Sequence, residues 1–394
     1  MKKLIALLLA LVMVFAFAAC GGTDKKTETD AKNPAENTEN TENTENTEET
    51  TDMSVAMITD YGDITDQSFN QTTYEACKEY CSENGIQFNY FKPAGDSDAE
   101  RVAMIESAID EGYNVIVMPG FAFAGAIKET AGTYSDITFI ALDVSAGDLG
   151  ADYELPSNLY CAVYQEELCG YMAGYAAVKL GYTHLGFLGG MAVPAVVRYG
   201  YGYLQGIDAA AAELGNADQV TVEYVYGNQF YGDGDITAYM DNWYQTLGVE
   251  VVFACGGGIY NSAAEAAAKV EGAKVIGVDV DQSGIIDSGY GEGMTVTSAM
   301  KGLAATVKTM LAEVKAGNFA NYGGKIDTLG LVSENPEENY VQIPMTTQFE
   351  DGKFTAEDYK ALVAGMYSGK ITVSNDIETI PATAVTVNEY ANIK

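Results

Sequence analysis

The sequence predicts an α/β protein of two doubly wound parallel-sheet lobes with a ligand cleft between them. Three observations predict it. Short apolar runs alternate with longer amphipathic ones from Ser54 onward, the same rhythm restarts at Leu159, and polar residues or glycines recur where the apolar runs end. Strand-length segments alternating with helix-length segments are the signature of a parallel sheet covered by helices.

In the first series VAMIT (55–59) is a strand, and 67–84 is a helix ended by Gly85. IQFNYF (86–91) is a strand, followed by a helix over 98–111 that stops at Gly112. NVIVMPG (114–120) is a buried strand, 121–131 a short helix and ITFIALD (137–143) a further strand. In the second series LYCAVY (159–164) leads into a small-residue helix over 165–180, then HLGFLGG and a helix near 196–214. VTVEYVYG (220–227), a helix over 235–247, VEVVFACGGG (249–258), a helix over 261–270 and KVIGVDVD (274–281) complete it. The remainder, 295–394, has to cross back between the lobes, and its segment 306–317 reads as an ordinary amphipathic packing helix.

Ligands of open parallel sheets sit beyond the carboxyl ends of the strands. Asp60 follows VAMIT, Asp143 follows TFIAL, glycines follow VVFAC, and Asp279 follows VIGV. Two such rims facing each other make a cleft.

Ahead of the first strand, Lys2 and Lys3 precede an apolar run from Leu4 to Ala19, the pattern of a secretory signal and too short for a comfortable membrane span. Phe17-Ala18-Ala19-Cys20 resembles a bacterial lipobox, which implies that residues 1–19 are a signal peptide and that Cys20 takes a lipid. The expected location is therefore the extracytoplasmic face of the cell membrane, with the chain anchored to it and not spanning it. Residues 20–52 repeat Glu-Asn-Thr and hold almost nothing apolar, so they are expected to stay disordered as an acidic tether reaching roughly 30 Å.

The whole chain carries a formal charge of −35. A surface this acidic repels phosphate backbones, so nucleic acid is not an expected partner. Arg101 and Arg198 are the only arginines, which argues against a strongly anionic ligand. Besides Cys20 there are Cys77, Cys81, Cys161, Cys169 and Cys255, an odd number with no CxxC; Cys77 and Cys81 share one helical face as packed thiols. One histidine, His184, serves the chain and reads as a strand-edge residue. That composition speaks against His-rich zinc sites, a Ser-His-Asp triad and a hydrolase. GFLGGMAVP lacks the Gly-Lys-Ser/Thr ending of a phosphate loop and the GxGxxG of a dinucleotide fold. No enzyme, cofactor or metal is expected.

The segment ITDYGDITDQSFNQ (58–71) joins the first strand to the first helix, with Asp66 placed to cap it and Phe69 and Asn70 in its first turn. Together with VIVMPGFAF (115–123), GFLGGMAVPAVVRYGYGYLQG (186–206), VVFACGGG, VIGVDVD and TSAMKG (297–302), it resembles the basic membrane protein family of bacterial lipoproteins. These are purine-nucleoside-binding components of ABC importers, with the two-lobed fold of type I periplasmic binding proteins.

The resemblance implies that Phe69 and Phe230 sandwich the base, with Tyr231 as rival to Phe230. It implies that Asn70 and Asp143 address the base edge, with Asp60 at the same rim. Asp279 accepts from the ribose diol, Lys301 donates to a ribose oxygen, and Gly256 and Gly257 let backbone approach the sugar. Residues 53–163 plus about 283–325 are expected to form the N-terminal lobe, and about 164–282 plus 326–394 the C-terminal lobe. The implied role is that of a monomeric, lipid-anchored solute-binding protein delivering a nucleoside to an ABC permease. The alternative is the same fold binding a sugar or another small neutral metabolite, for uptake or sensing. The chain departs from the family's pattern at YGDGDITAY after Phe230 and at Ile259-Tyr260, both near the expected ligand.

Overall fold

The two βα series fold into two sheets in a computed structural model that describes residues 53–394. Cys20 and the segments expected to be a signal peptide and a tether lie outside the described residues.

The first series runs β1 (Ser54–Ile58), α1 (Phe69–Asn84), β2 (Gln87–Phe91), α2 (Asp98–Asp110), β3 (Val115–Pro119), α3 (Ala124–Thr130), β4 (Thr138–Leu142), α4 (Ala146–Leu149) and β5 (Leu159–Tyr164). The second runs α5 (Glu166–Leu180), β6 (His184–Gly189), α6 (Pro194–Leu214), β7 (Thr221–Tyr226), α7 (Gly234–Asn242), β8 (Val251–Cys255), α8 (Tyr260–Ala267), β9 (Lys274–Asp279), α9 (Ser283–Tyr290) and β10 (Thr295–Lys301). The chain then adds α10 (Leu303–Lys315), β11 (Lys325–Leu329), β12 (Val341–Gln342), α11 (Ala356–Tyr367) and β13 (Thr386–Glu389).

The first sheet has the order β11-β5-β4-β3-β1-β2 and the second β12-β10-β9-β8-β6-β7-β13. Every pairing is parallel except that of β12 with β10. Strand order therefore reverses between β1 and β3 in one sheet and between β6 and β8 in the other, the two points where a doubly wound sheet opens a crevice. Central strands such as VIVMP and VVFAC are wholly buried because helices cover both faces.

The expected lobe boundaries need correction. Residues 283–301 are expected in the first lobe, yet β10 pairs in register with β9 and extends the second sheet. Conversely β11 pairs with β5 and closes the first sheet. The first lobe therefore regains the chain at α10, which packs on α1. The hydroxyl-rich TVTSAMK gives β10 little hydrophobic signal, although most of its residues are buried.

Helices α5 and α6 pack closely at the start of the second lobe. A side chain at Gly170 would collide with the Tyr199 carbonyl, and one at Gly202 with that of Glu167. This close approach brings Glu166, Arg198 and Tyr199 together at the rim.

Candidate functional site

The carboxyl rims of both sheets line one cavity of about 480 Å³. All nine sequence-predicted positions face it: Asp60, Phe69, Asn70, Asp143, Phe230, Gly256, Gly257, Asp279 and Lys301.

At its centre stands Lys301, the last residue of β10 and 6% exposed. Its Nζ lies 2.5 Å from Asp143 Oδ2, 3.5 Å from Glu166 Oε1 and 3.7 Å from Asp279 Oδ1. It also stands 4.8 Å from the Phe69 ring centre, with Tyr164 and Tyr199 slightly farther off. Burial alone would lower the ammonium's pKa, but the carboxylates of Asp143, Asp279 and Glu166 outweigh it and raise it. The cation is held. Burial raises Glu166 and Asp279 above the usual carboxylate range, against the pull of Arg198 and Lys301. Arg198 Nε donates to Glu166 Oε2 at 2.6 Å.

Asp143 and Asp279 occupy matching places, at the ends of β4 and β9. Both adopt the left-handed region, with φ of 58° and 66°. Non-glycine residues rarely hold this conformation, and here it bends each carboxylate toward the lysine. Asp279 further accepts from Ser68 Oγ at 2.6 Å, a bond between the lobes.

A second polar group sits at the start of α1. Asp66 caps the helix as expected, its carboxylate accepting from the backbone N–H of Ser68, Asn70 and Gln71. The Asn70 amide also donates to Asp66 Oδ2 at 3.2 Å, which leaves the buried Asn70 Oδ1 without a partner. Asp60 Oδ1 takes the N–H groups of Tyr61 and Gly62, both at 2.6 Å. Burial raises the Asp60 pKa despite those bonds and the nearby Asn70 amide. Asp143 thus groups with Lys301 and Asp279, while Asn70 groups with Asp66 and Asp60.

Phe230 rests on a glycine shelf. A side chain at Gly256 would meet its ring at 2.9 Å, and the Gly258 N–H bonds the Phe230 carbonyl at 2.9 Å. The glycine loop after β8 therefore seats the aromatic ring, besides exposing backbone to the cavity. Tyr231 is 59% exposed at the mouth.

Four contributors were not singled out from sequence: Glu166, Arg198, Tyr199 and Ser68. Among the described residues no group of His, Cys, Asp and Glu is arranged to hold a metal. The cavity offers aromatic faces plus two buried acceptors without hydrogen-bond partners, Asn70 Oδ1 and Asp143 Oδ1. Such an arrangement can stack a flat ring and accept hydrogen bonds from hydroxyl or N–H donors.

Two parallel sheets sharing one such cleft define a solute-binding protein of the two-lobed class. A solute-binding protein of an ABC transporter system from Aeropyrum pernix K1 has this fold, with a TM-score of 0.62 at 22% identity, covering 82% of this chain and 88% of that one. Residues 53–376 match the family described as ABC transporter substrate-binding protein, PnrA-like, and the chain belongs to that family. The ABC transporter nucleoside-binding protein BmpA of Lactococcus lactis subsp. cremoris is 26% identical over 337 residues, 77% of this chain and 89% of that protein. Basic membrane protein B of Borreliella burgdorferi is 25% identical over 313 residues, 76% and 82% of the respective chains. Membership implies a small-molecule ligand and a permease partner.

Proposed function

We propose that the protein captures a purine nucleoside outside the cytoplasm and hands it to an ABC permease, held at the membrane through a lipid on Cys20. The observation that carries the ligand is the pairing of two aromatic rings from opposite lobes with unpartnered buried acceptors in one cavity. Phe69 and Phe230 supply the π faces, and base stacking on aromatic rings is worth about 1–3 kcal/mol per base. Asn70 Oδ1, beside Asp60, accepts from an N–H on the base edge. Asp143 and Asp279 accept from ribose hydroxyls, bonds strengthened by the charge of the acceptor, and Lys301 donates to a sugar oxygen. An anionic ligand would meet the carboxylates of Asp60, Asp143 and Asp279 that line the cavity, so uncharged nucleosides fit better than nucleotides.

A thermal-shift and calorimetric screen of the purified protein tests this with guanosine, inosine, adenosine, their free bases, the 5′-monophosphates and simple sugars. A nucleoside at 100 times its dissociation constant adds about 2.7 kcal/mol of stability. Stabilisation by sugars with none by nucleosides would move the assignment to the sugar-binding alternative.

A further inference from the structure

Residues 385–394 form a strap that follows β7 to the cleft. The family match ends at residue 376, so the strap lies beyond it. Strand β13 pairs parallel to β7 from Thr386↔Thr221 to Glu389↔Tyr224. Parallel pairing carries the strap toward the carboxyl rim, where ligands sit. It continues past the strand, with Tyr390 N–H bonding the Tyr224 carbonyl and Ile393 N–H the Tyr226 carbonyl, both at 2.9 Å. Lys394 then reaches Asp233 and stands 3.5 Å from Asp235.

Asp233 closes the loop that presents Phe230 and Tyr231. Its Oδ1 caps α7, and its Oδ2 accepts from Gln229 Nε2 at 2.8 Å. The same Gln229 amide donates to the Tyr231 carbonyl at 2.9 Å. A continuous set of bonds thus runs from Lys394 through Asp233 and Gln229 to the aromatic segment.

The other end of the strap is anchored below the rim. Buried Glu223 takes bonds from Tyr390 Oη at 2.7 Å and Asn388 Nδ2 at 3.1 Å, and its Oε1 lies 2.8 Å from His184 Nε2. The Tyr390 ring packs against Trp243 and Tyr239. Covering an edge strand would need only the pairing with β7. The added contacts to Asp233 point to a role at the cleft.

We infer that residues 385–394 are a positioning element for the 227–233 loop: Tyr390 anchors it, and Lys394, through Asp233 and Gln229, holds Phe230 and Tyr231 in their ligand-facing places. That the loop contacts a nucleoside rests on the proposed function; that the strap orders the loop does not.

The parent chain is compared with Lys394→Ala, Lys394→Arg and Tyr390→Phe, the last keeping the ring packing should Tyr390→Ala fail to fold. Hydrogen exchange in the ligand-free protein reads loop order, with 98–110 as the control segment. Amides of 227–233 should exchange several-fold faster in Lys394→Ala and Tyr390→Phe, return toward the parent rate in Lys394→Arg, and leave the control unchanged. Inosine affinity should fall roughly three- to tenfold in Lys394→Ala, and by less than about twofold when Phe230→Ala is already present, since coupled residues are not additive. Unchanged loop exchange in both variants would overturn the inference, as would an undiminished affinity loss in the Phe230→Ala background. If inosine does not bind the parent protein, the nucleoside reading fails, and the exchange data alone decide the strap's role.

Discussion

Ser68 Oγ donates a 2.6 Å hydrogen bond to Asp279 Oδ2, tying the loop before α1 in one lobe to the end of β9 in the other. Gln282 Nε2 bonds the Gln67 carbonyl beside it at 3.1 Å, and Lys301 spans the same gap to Asp143. The bonds to Asp279 and Asp143 satisfy carboxylates that a ligand would otherwise engage. They favour lobe closure before a ligand arrives, and ligand contacts to both rims favour it further. Ser68→Ala removes one of them, worth about 1 kcal/mol net. Small-angle scattering should show a larger radius of gyration for ligand-free Ser68→Ala than for the ligand-free parent. The two proteins should converge at saturating nucleoside. Equal values without ligand would mean that this bond does not bias closure.

Stacking is tested at both rings. Phe69 and Phe230 are half-buried, so their truncation leaves the core intact. Phe69→Ala and Phe230→Ala should each weaken nucleoside binding by about 1–3 kcal/mol with little change in the unfolding midpoint of the ligand-free protein. A large fall in that midpoint with affinity preserved would make Phe69 a packing residue.

Much of this site was readable from residue order alone. Asp60, Asp143 and Asp279 end apolar runs, so the strand rims alone locate them. The resemblance added Phe69, Phe230 and Lys301. Glu166, Arg198 and Tyr199 sit on helices whose apolar and small residues read as packing, and only the approach of α5 to α6 turns them inward. A signal for part of the cluster was present: Leu142-Asp143-Val144 and Val278-Asp279-Val280 end matching strands with the same pattern. Strand β10 and the strap escaped because TVTSAMK and TVNE bury too little apolar surface to announce a strand. Their pairing depends on partners far away in the chain.

Lys301 is both a ligand candidate and a structural cation. Removing one partner of a buried ionic group leaves the others uncompensated, at a cost of about 3–5 kcal/mol. Lys301→Met should therefore lower stability in urea unfolding as well as abolish nucleoside binding. Asp279→Asn keeps the shape and loses a charged acceptor, so it should reduce nucleoside affinity far more than free-base affinity while folding near normally. Equal losses for nucleoside and free base would show that Asp279 shapes the cleft without reading the sugar.

Glu167 gives the pH dependence a specific source. It lies at the start of α5, 3% exposed, with Oε2 buried and unpartnered. Burial first, then the neighbouring Glu166 carboxylate, push its pKa from 4.5 up to about 7. Between those two values the folded state keeps a proton that the unfolded chain has released. Stability from this group is therefore full below about pH 4.5 and is lost as pH rises through about 7. Glu167→Gln stays neutral throughout and preserves the shape. Relative to the parent it should gain about 1–3 kcal/mol in urea unfolding at pH 8. The gain should shrink steadily toward pH 5. A variant whose stability difference from the parent does not change between pH 5 and pH 8 would show that Glu167 titrates at its ordinary value, and that some other group sets the pH response.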